Sequence, residues 1–291
     1  MKNKGLKISL ITLSLVTLIF TILVAFVDVS KIGMYDTKVG FSALNNVFYN
    51  LISYNEPLYI FTNITGYIII LIAFAYIILV FIQLIKNKSI KKIDPRLIIW
   101  GLFLIGLAFI YVLFDKVFII NTRPVRIDGK ISPSYPSSHT MLSIFICATA
   151  IYLNQKLLKN KIANYICNSF ILIVGILTLM LRTLSGVHWI TDIIGGILIS
   201  TTLVIGYITT IESLANKQPI LETTVEKTAE KSENNSNDKT QDSEQELSKN
   251  EEKAESTIAK DKKVKTTKKS SNKTSKTNTT NNKNISKSKN K

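Results

Sequence analysis

The chain has 291 residues, 46% of them hydrophobic, and a formal net charge of +16. The apolar residues form long uninterrupted blocks in the first three quarters of the sequence, which excludes an ordinary soluble core and indicates a membrane protein. The two cysteines, Cys147 and Cys167, suggest no disulfide or metal framework, and we expect them to pack as small apolar side chains.

Six apolar blocks are long enough to cross a bilayer, which takes roughly 20 residues per helix. They cover about 8–27, 59–85, 97–114, 139–158, 162–181 and 190–211. The first block ends without a small-x-small cleavage site, so we interpret it as a retained span and not as a signal peptide. The sequence therefore predicts an all-α, polytopic membrane protein with about six transmembrane helices.

The distribution of lysines predicts which loops face the cytoplasm, since cytoplasmic loops carry the excess of positive charge. Basic clusters occur at the N-terminus and after the second and fourth blocks: Lys2, Lys4, Lys7, Lys86, Lys88, Lys91, Lys92, Lys156, Lys159 and Lys161. Both termini are then cytoplasmic. The predicted outer loop 115–138 breaks this trend because it carries four cations against two aspartates. Its excess charge indicates a function.

We divide the chain into three regions. Residues 1–58 form the first transmembrane helix and an extracytoplasmic loop, residues 59–216 a membrane-embedded core, and residues 217–291 a tail with 18 lysines, 12 acidic residues and no aromatic residue. Such a composition predicts a disordered cytoplasmic tail. Its last part, 260–291, holds 12 lysines and one aspartate, which suits docking on anionic inner-leaflet lipids or nucleic acid, or a merely solvated extension.

The sequence contains two histidines, His139 and His188, and both fall at predicted outer ends of spans. Ionisable groups in such places are functional candidates, because they are costly near a membrane. On the same side, Lys116 and Arg123 follow the third block with a mostly apolar strip between them. They could hold phosphate oxygens, or their side chains could extend to lipid head groups.

A run of prolines and serines precedes the fourth block. Pro136, Ser137 and Ser138 are typical of a helix start, where backbone N–H groups, a hydroxyl and the helix dipole create an anion site. His139 at its rim could act as a general acid. Ordinary capping by Ser137 or Ser138 is the alternative.

The third cluster joins the last two blocks. His188 and Asp192 are four residues apart and share one helical face. An aspartate that accepts the imidazole Nδ1–H leaves Nε2 free as a nucleophile, whereas an ion pair at a helix start is the alternative. The two histidines and Asp192 could also hold a metal, but the cations Lys116, Arg123 and Arg182 favour phosphate.

Taken in order, the three stretches resemble the type 2 phosphatidic acid phosphatase family, which shares its catalytic core with vanadium haloperoxidases. That family's signature is K-x6-R-P, then P-S-G-H, then S-R-x5-H-x3-D. The first part is matched in full from Lys116 to Arg123 and the following proline. Ser138 replaces the usual glycine and Leu181 the usual serine. The resemblance covers about residues 60–211.

The resemblance implies a haloperoxidase-like helical core with an extracytoplasmic site that needs no metal or cofactor. Its phosphate-binding residues would be Lys116, Arg123, Ser137, Ser138 and Arg182. His188 would attack phosphorus to form a phosphohistidine, Asp192 would orient it, and His139 would protonate the leaving alkoxide and later activate water.

The predicted function is a metal-independent lipid phosphatase in the cell membrane. Candidate substrates are undecaprenyl diphosphate, phosphatidylglycerol phosphate and phosphatidate, among which the sequence does not choose. A phosphotransferase with the same intermediate is an alternative. A non-catalytic membrane scaffold that uses the Lys-rich tail is another, disfavoured by the pairing of both histidines with three cations.

Overall fold

Helices dominate the structure, a computed structural model that describes residues 2–216, so the predicted tail lies outside the described residues. One short antiparallel hairpin interrupts the helices. The elements are α1 (Lys2–Phe26), β1 (Ser30–Ile32), β2 (Thr37–Val39), α2 (Ser42–Leu51), α3 (Glu56–Asn87), α4 (Pro95–Lys116), α5 (Ser138–Leu157), α6 (Lys161–Leu184) and α7 (Ile190–Asn216). The all-α prediction is confirmed, and the predicted blocks correspond to the six long helices.

Polar caps fix where the long helices begin. Asn55 accepts a hydrogen bond from the backbone N–H of Leu58 at the start of α3, and Asp94 accepts one from that of Arg96 at the start of α4. Asn160 opens α6 in the same way. Such caps satisfy N–H groups that a helix leaves unpaired at its first turn.

Five of the described helices are long and apolar enough to cross a membrane: α1 from Lys4, α3, α4, α6 and α7. Helix α5 is not among them, so five of the about six predicted spans are confirmed as long and apolar enough, and the crossing of α5 stays a prediction. Ten of the 20 residues of α5 are buried, including Ser143, Thr149 and Asn154. Because α5 packs against α3, α4 and α6, neighbouring helices shelter its polar side chains from lipid.

Polar bonds tie α5 to its neighbours within the core. Trp100 donates its Nε1–H to Thr149 Oγ1 at 2.9 Å, and the Tyr76 hydroxyl bonds Asn154 Oδ1 at 2.7 Å. The rings of Tyr76 and Trp100 also pack together, with centroids 5.5 Å apart. Buried donors thus find partners, which a low-dielectric interior requires.

The segment between α1 and α3 folds back onto the end of α1. Asp28 accepts hydrogen bonds from the Ser42 hydroxyl and the Ala43 N–H at the start of α2, and these bonds lower the pKa of its carboxyl. Gly40 lies so close to Val24 that a Cβ at residue 40 would come within 1.6 Å of the Val24 carbonyl oxygen. Only glycine allows this approach.

We expect Gly40→Ala to lower the free energy of unfolding by about 1–3 kcal/mol, because the new methyl group must push two backbone segments apart. Gly106→Ala in α4 is the matched control, since a Cβ there meets nothing within 4 Å. It should leave the protein equally stable, or more stable by up to about 1 kcal/mol. Thermal unfolding in detergent measures both, and equal melting temperatures would contradict the close approach.

Candidate active site

Five segments meet at one end of the helix bundle. They are the end of α6 with Arg182, the turn with His188, the first turns of α5 and α7, and the loop 117–137 with Arg123. The sequence places these segments far apart, up to about 70 residues. The fold brings most of the predicted site residues together.

The turn between α6 and α7 sets the position of His188. Gly186 has φ +66°, a left-handed conformation that favours glycine, and a Cβ there would come within 2.9 Å of the Ser53 carbonyl oxygen. The Asn55 N–H donates to the Ser185 carbonyl at 3.1 Å. The segment between α2 and α3 therefore packs directly against this turn.

The His188 imidazole lies between the carboxylate of Asp192 and the guanidinium of Arg182. Its Nδ1 is 3.4 Å from Asp192 Oδ2, which also accepts the Trp189 N–H at 3.1 Å, and its Nε2 is 2.9 Å from Arg182 Nη2. Since the carboxylate only accepts and the guanidinium only donates, Nδ1 carries the proton and Nε2 carries the lone pair. This is the tautomer that a nitrogen nucleophile requires.

The surroundings keep His188 neutral. Burial lowers the pKa of its imidazole well below the ordinary value, and the positive charges of Arg182 and Arg123 lower it further. The side chain is only 2% exposed. A neutral imidazole among cations retains its lone pair at neutral pH, as attack on an electrophile demands.

The start of α5 leaves backbone donors available. Ser137 occupies the capping position, but its side chain makes no capping bond, and its hydroxyl accepts from Thr140 Oγ1 at 3.0 Å instead. Its own N–H donates to the Asp192 carbonyl at 3.1 Å. The alternative of ordinary capping by Ser137 is therefore not found here, and the first turn of α5 suits an anion.

Several buried donors at the site have no hydrogen-bond partner among the described residues. They are Nε and Nη1 of Arg182, Nε of Arg123 and Nδ1 of His139. Arg123, Ser138 and His188 also line one small pocket. Because buried unpaired polar groups are costly, such a set indicates a site built for an oxyanion.

Helix α3 packs against the His139 ring at Gly66. A Cβ at Gly66 would come within 2.8 Å of the imidazole Cδ2. The absence of a side chain at residue 66 therefore makes room for the His139 ring. Sequence reasoning missed Gly66, because a glycine inside an apolar block carries no chemical signal.

Lys116 lies outside the cluster, so its role in phosphate binding stays a prediction. Its side chain is 73% exposed and its ammonium lies 2.8 Å from Asp115 Oδ2. Asp115 itself lines the pocket with Arg123. The reason is local: Lys116 is the last residue of α4, and a neighbouring carboxylate holds it at the rim.

Sequence reasoning also missed a buried hydrogen-bond partner of Asp192. Asn121 donates its Nδ2–H to Asp192 Oδ1 at 2.8 Å. The residue lies two positions before Arg123 within the first motif, where the family signature specifies nothing. Within residues 2–216, no group of three His, Cys, Asp or Glu side chains could hold a metal ion.

Comparisons with known proteins give one family and one structure. The family model described as PAP2 superfamily matches residues 114–214. A crystal structure described as the first transmembrane PAP2 type phosphatidylglycerolphosphate phosphatase from Bacillus subtilis aligns with a TM-score of 0.48 and 16% identity, over 70% of this chain and 96% of that one. No curated protein matches.

We expect orthovanadate, a tetrahedral oxyanion, to bind the wild-type site. Arg123→Ala and Arg182→Ala should each weaken binding by roughly 10- to 150-fold, as expected for hydrogen bonds from buried cations. Lys116→Ala should weaken it less than about fivefold, because an exposed ion pair contributes little. Calorimetric titration in detergent measures the three affinities. A loss with Lys116→Ala as large as that with Arg182→Ala would show that Lys116 reaches the bound anion.

Proposed function

We propose that this chain belongs to the PAP2 superfamily, whose family model matches residues 114–214, and that it is a membrane lipid phosphatase. It would hydrolyse a phosphomonoester or diphosphate of a lipid through a phosphohistidine intermediate. The observation that carries the proposal is the state of His188: its Nε2 holds a lone pair beside the buried donors of two arginines, while its Nδ1–H faces Asp192.

In the first step, Arg123 and Arg182 bind the phosphoryl oxygens, with the backbone N–H groups at the start of α5 as further donors. Nε2 of His188 attacks phosphorus as the bond from phosphorus to the leaving oxygen breaks. Burial and the charges of Arg182 and Arg123 lower the pKa of the His139 imidazole to about 3, so His139 takes up its proton together with the anionic substrate. It then gives that proton to the leaving alkoxide or lipid phosphate. The cations stabilise the charge on the equatorial oxygens in the transition state.

In the second step, water attacks the phosphorus of the phosphohistidine. His139 takes a proton from that water, and the bond between Nε2 and phosphorus breaks. Inorganic phosphate leaves, and His188 and His139 return to their initial protonation states. The reaction thus needs no group beyond the chain's own residues and water.

A lipid substrate follows from where the pocket lies. It is lined by residues near the end of α4, at the start of α5 and in the turn before α7, and α4 and α7 are each long and apolar enough to cross a membrane. Undecaprenyl diphosphate, phosphatidylglycerol phosphate and phosphatidate each offer a terminal phosphate there. Lys116 at the rim would then meet the phosphate as it enters.

We also propose that the site faces the extracytoplasmic side of the cell membrane and that both termini are cytoplasmic. The support is the lysine excess at the opposite ends of the helices. The tail would then face the anionic inner leaflet, where its lysines could bind lipid or another anionic partner.

Single cysteines test the orientation in a background with Cys147 and Cys167 replaced by alanine. On intact cells, a membrane-impermeant maleimide should label Lys130→Cys, in the loop before α5. It should label Lys88→Cys, in the loop after α3, only after permeabilisation. The reverse labelling pattern would place the site in the cytoplasm.

Purified wild-type protein in EDTA should release inorganic phosphate from at least one of the three candidate lipids in mixed micelles. His188→Ala should lower kcat by at least about 10³-fold, because the nucleophile is lost. Its melting temperature in detergent should show that it remains folded. Phosphate release by folded His188→Ala at a rate near that of wild type would remove His188 as the nucleophile.

A further inference from the structure

Asn121 is a fully buried residue whose side chain joins three parts of the chain. Its Nδ2 donates to Asp192 Oδ1 at 2.8 Å and lies 3.3 Å from Thr191 Oγ1. Its Oδ1 accepts the Gly40 N–H at 3.0 Å, and its backbone carbonyl accepts the Ser134 N–H at 2.9 Å. The loop 117–137 and the segment between β2 and α2 therefore meet at the Asp192 carboxylate, which faces His188.

The two oxygens of Asp192 have different partners. Oδ2 accepts from His188 Nδ1 and the Trp189 N–H, whereas Oδ1 accepts from Asn121. Donors on both oxygens fix the plane of a carboxylate, and that plane decides whether Oδ2 meets the Nδ1–H of His188. Without Asn121, the carboxylate can turn its free oxygen toward other donors.

An asparagine suits this position because its amide is both donor and acceptor. The nitrogen must face Asp192, since a carboxylate only accepts, and the oxygen must face Gly40, since a backbone N–H only donates. An ionised carboxyl at residue 121 would instead oppose Asp192 at hydrogen-bond distance. A hydrophobic residue would leave the Gly40 N–H and one Asp192 oxygen unpaired in the interior.

A second buried asparagine, in α2, bonds both Gly40 and the first turn of α7. Asn45 of α2 donates to the Gly40 carbonyl at 2.7 Å and to Thr191 Oγ1 at 2.9 Å, and its oxygen accepts the Thr191 N–H at 3.2 Å. Gly40 is itself pressed against Val24 of α1. The first turn of α7 is thus held at two adjacent residues: Thr191 by Asn45, and Asp192 through Asn121, which also bonds Gly40.

We propose that Asn121 is a positioning residue that holds Asp192, and through it the reactive tautomer of His188, with Asn45 as its support. The inference rests on the proposed function for its kinetic consequences, but the structural claim about the tautomer stands apart from it. Asn121 is not expected to touch the phosphate.

The test combines kinetics with a spectroscopic measurement on the full-length protein. Because the chain contains only two histidines, ¹⁵N-histidine labelling reports on His188 and His139 alone, and His139→Gln assigns them. In wild type, Nδ1 of His188 should be protonated and Nε2 unprotonated. In Asn121→Ala, signals of the second tautomer should appear. With phosphatidylglycerol phosphate as the probe, kcat should fall by about 10- to 100-fold, and KM should change less than about twofold.

Asn154→Ala is the matched control. Asn154 is also a buried asparagine with side-chain hydrogen bonds, to Tyr76 and Asn168, but it lies at the other end of α5. Its loss should lower the melting temperature about as much as Asn121→Ala does. It should leave kcat and the ¹⁵N signals of His188 unchanged.

Asn121→Asp provides a second variant with the volume of the wild-type side chain. Its carboxyl can donate to Asp192 only while protonated. The neighbouring Asp192 carboxylate favours protonation of that carboxyl, and Arg123, two residues along the chain, opposes it. The ratio of variant to wild-type kcat should therefore fall as the pH rises through the pKa of that carboxyl. This profile keeps the test decisive if Asn121→Ala fails to fold.

The outcomes separate the inference from the proposed function. If wild type releases no phosphate from the probe or from the other two lipids, the proposed function fails, and the ¹⁵N spectra of the folded variants alone decide the inference. An unchanged His188 tautomer in Asn121→Ala, or kinetic losses equal to those of Asn154→Ala, would overturn it. A flat pH ratio for Asn121→Asp would overturn it as well.

Discussion

The burial of one imidazole beside two guanidinium groups is the constraint on which the rest of the structure depends. Arg182 is 1% exposed and Asp192 is fully buried, and His188 lies between them. Removing such charges from water costs several kcal/mol for each ion, and one carboxylate cannot offset two cations. The arrangement is therefore suited to an anionic ligand, which would offset the excess positive charge and satisfy the unpaired donors.

This polar centre also explains why α5 differs from the other long helices. Its first turn faces the site, and serine, threonine and asparagine continue along its buried side. A helix with that composition is poorly suited to face lipid, so α3, α4 and α6 surround it. The polar residues of α5 thus serve the site at its first turn and the hydrogen bonds of the core further along the helix.

The sequence predicted the helices, and it pointed to site residues that the fold brings together, because each carries a strong local signal. Apolar blocks mark membrane helices, and two histidines among cations at block ends are conspicuous. It failed where position depends on packing. The exposed position of Lys116 beside Asp115 could be recognised only once its neighbours were known. Asn121 was missed because asparagine is common in loops and only its burial against Asp192 gives it importance.

Some of the residues that surround the proposed site lie outside the part of the chain that the family model covers. The family model covers residues 114–214, whereas Gly40, Asn45, Ser53 and Gly66 precede it. Each of these four contacts either the turn before His188, the first turn of α7, a partner of Asp192 or the ring of His139. Glycine and asparagine act there through shape and hydrogen bonding, which no reactive-residue signature specifies. The tautomer and protonation of the histidines can therefore be adjusted from outside the signature, with the reacting residues left unchanged.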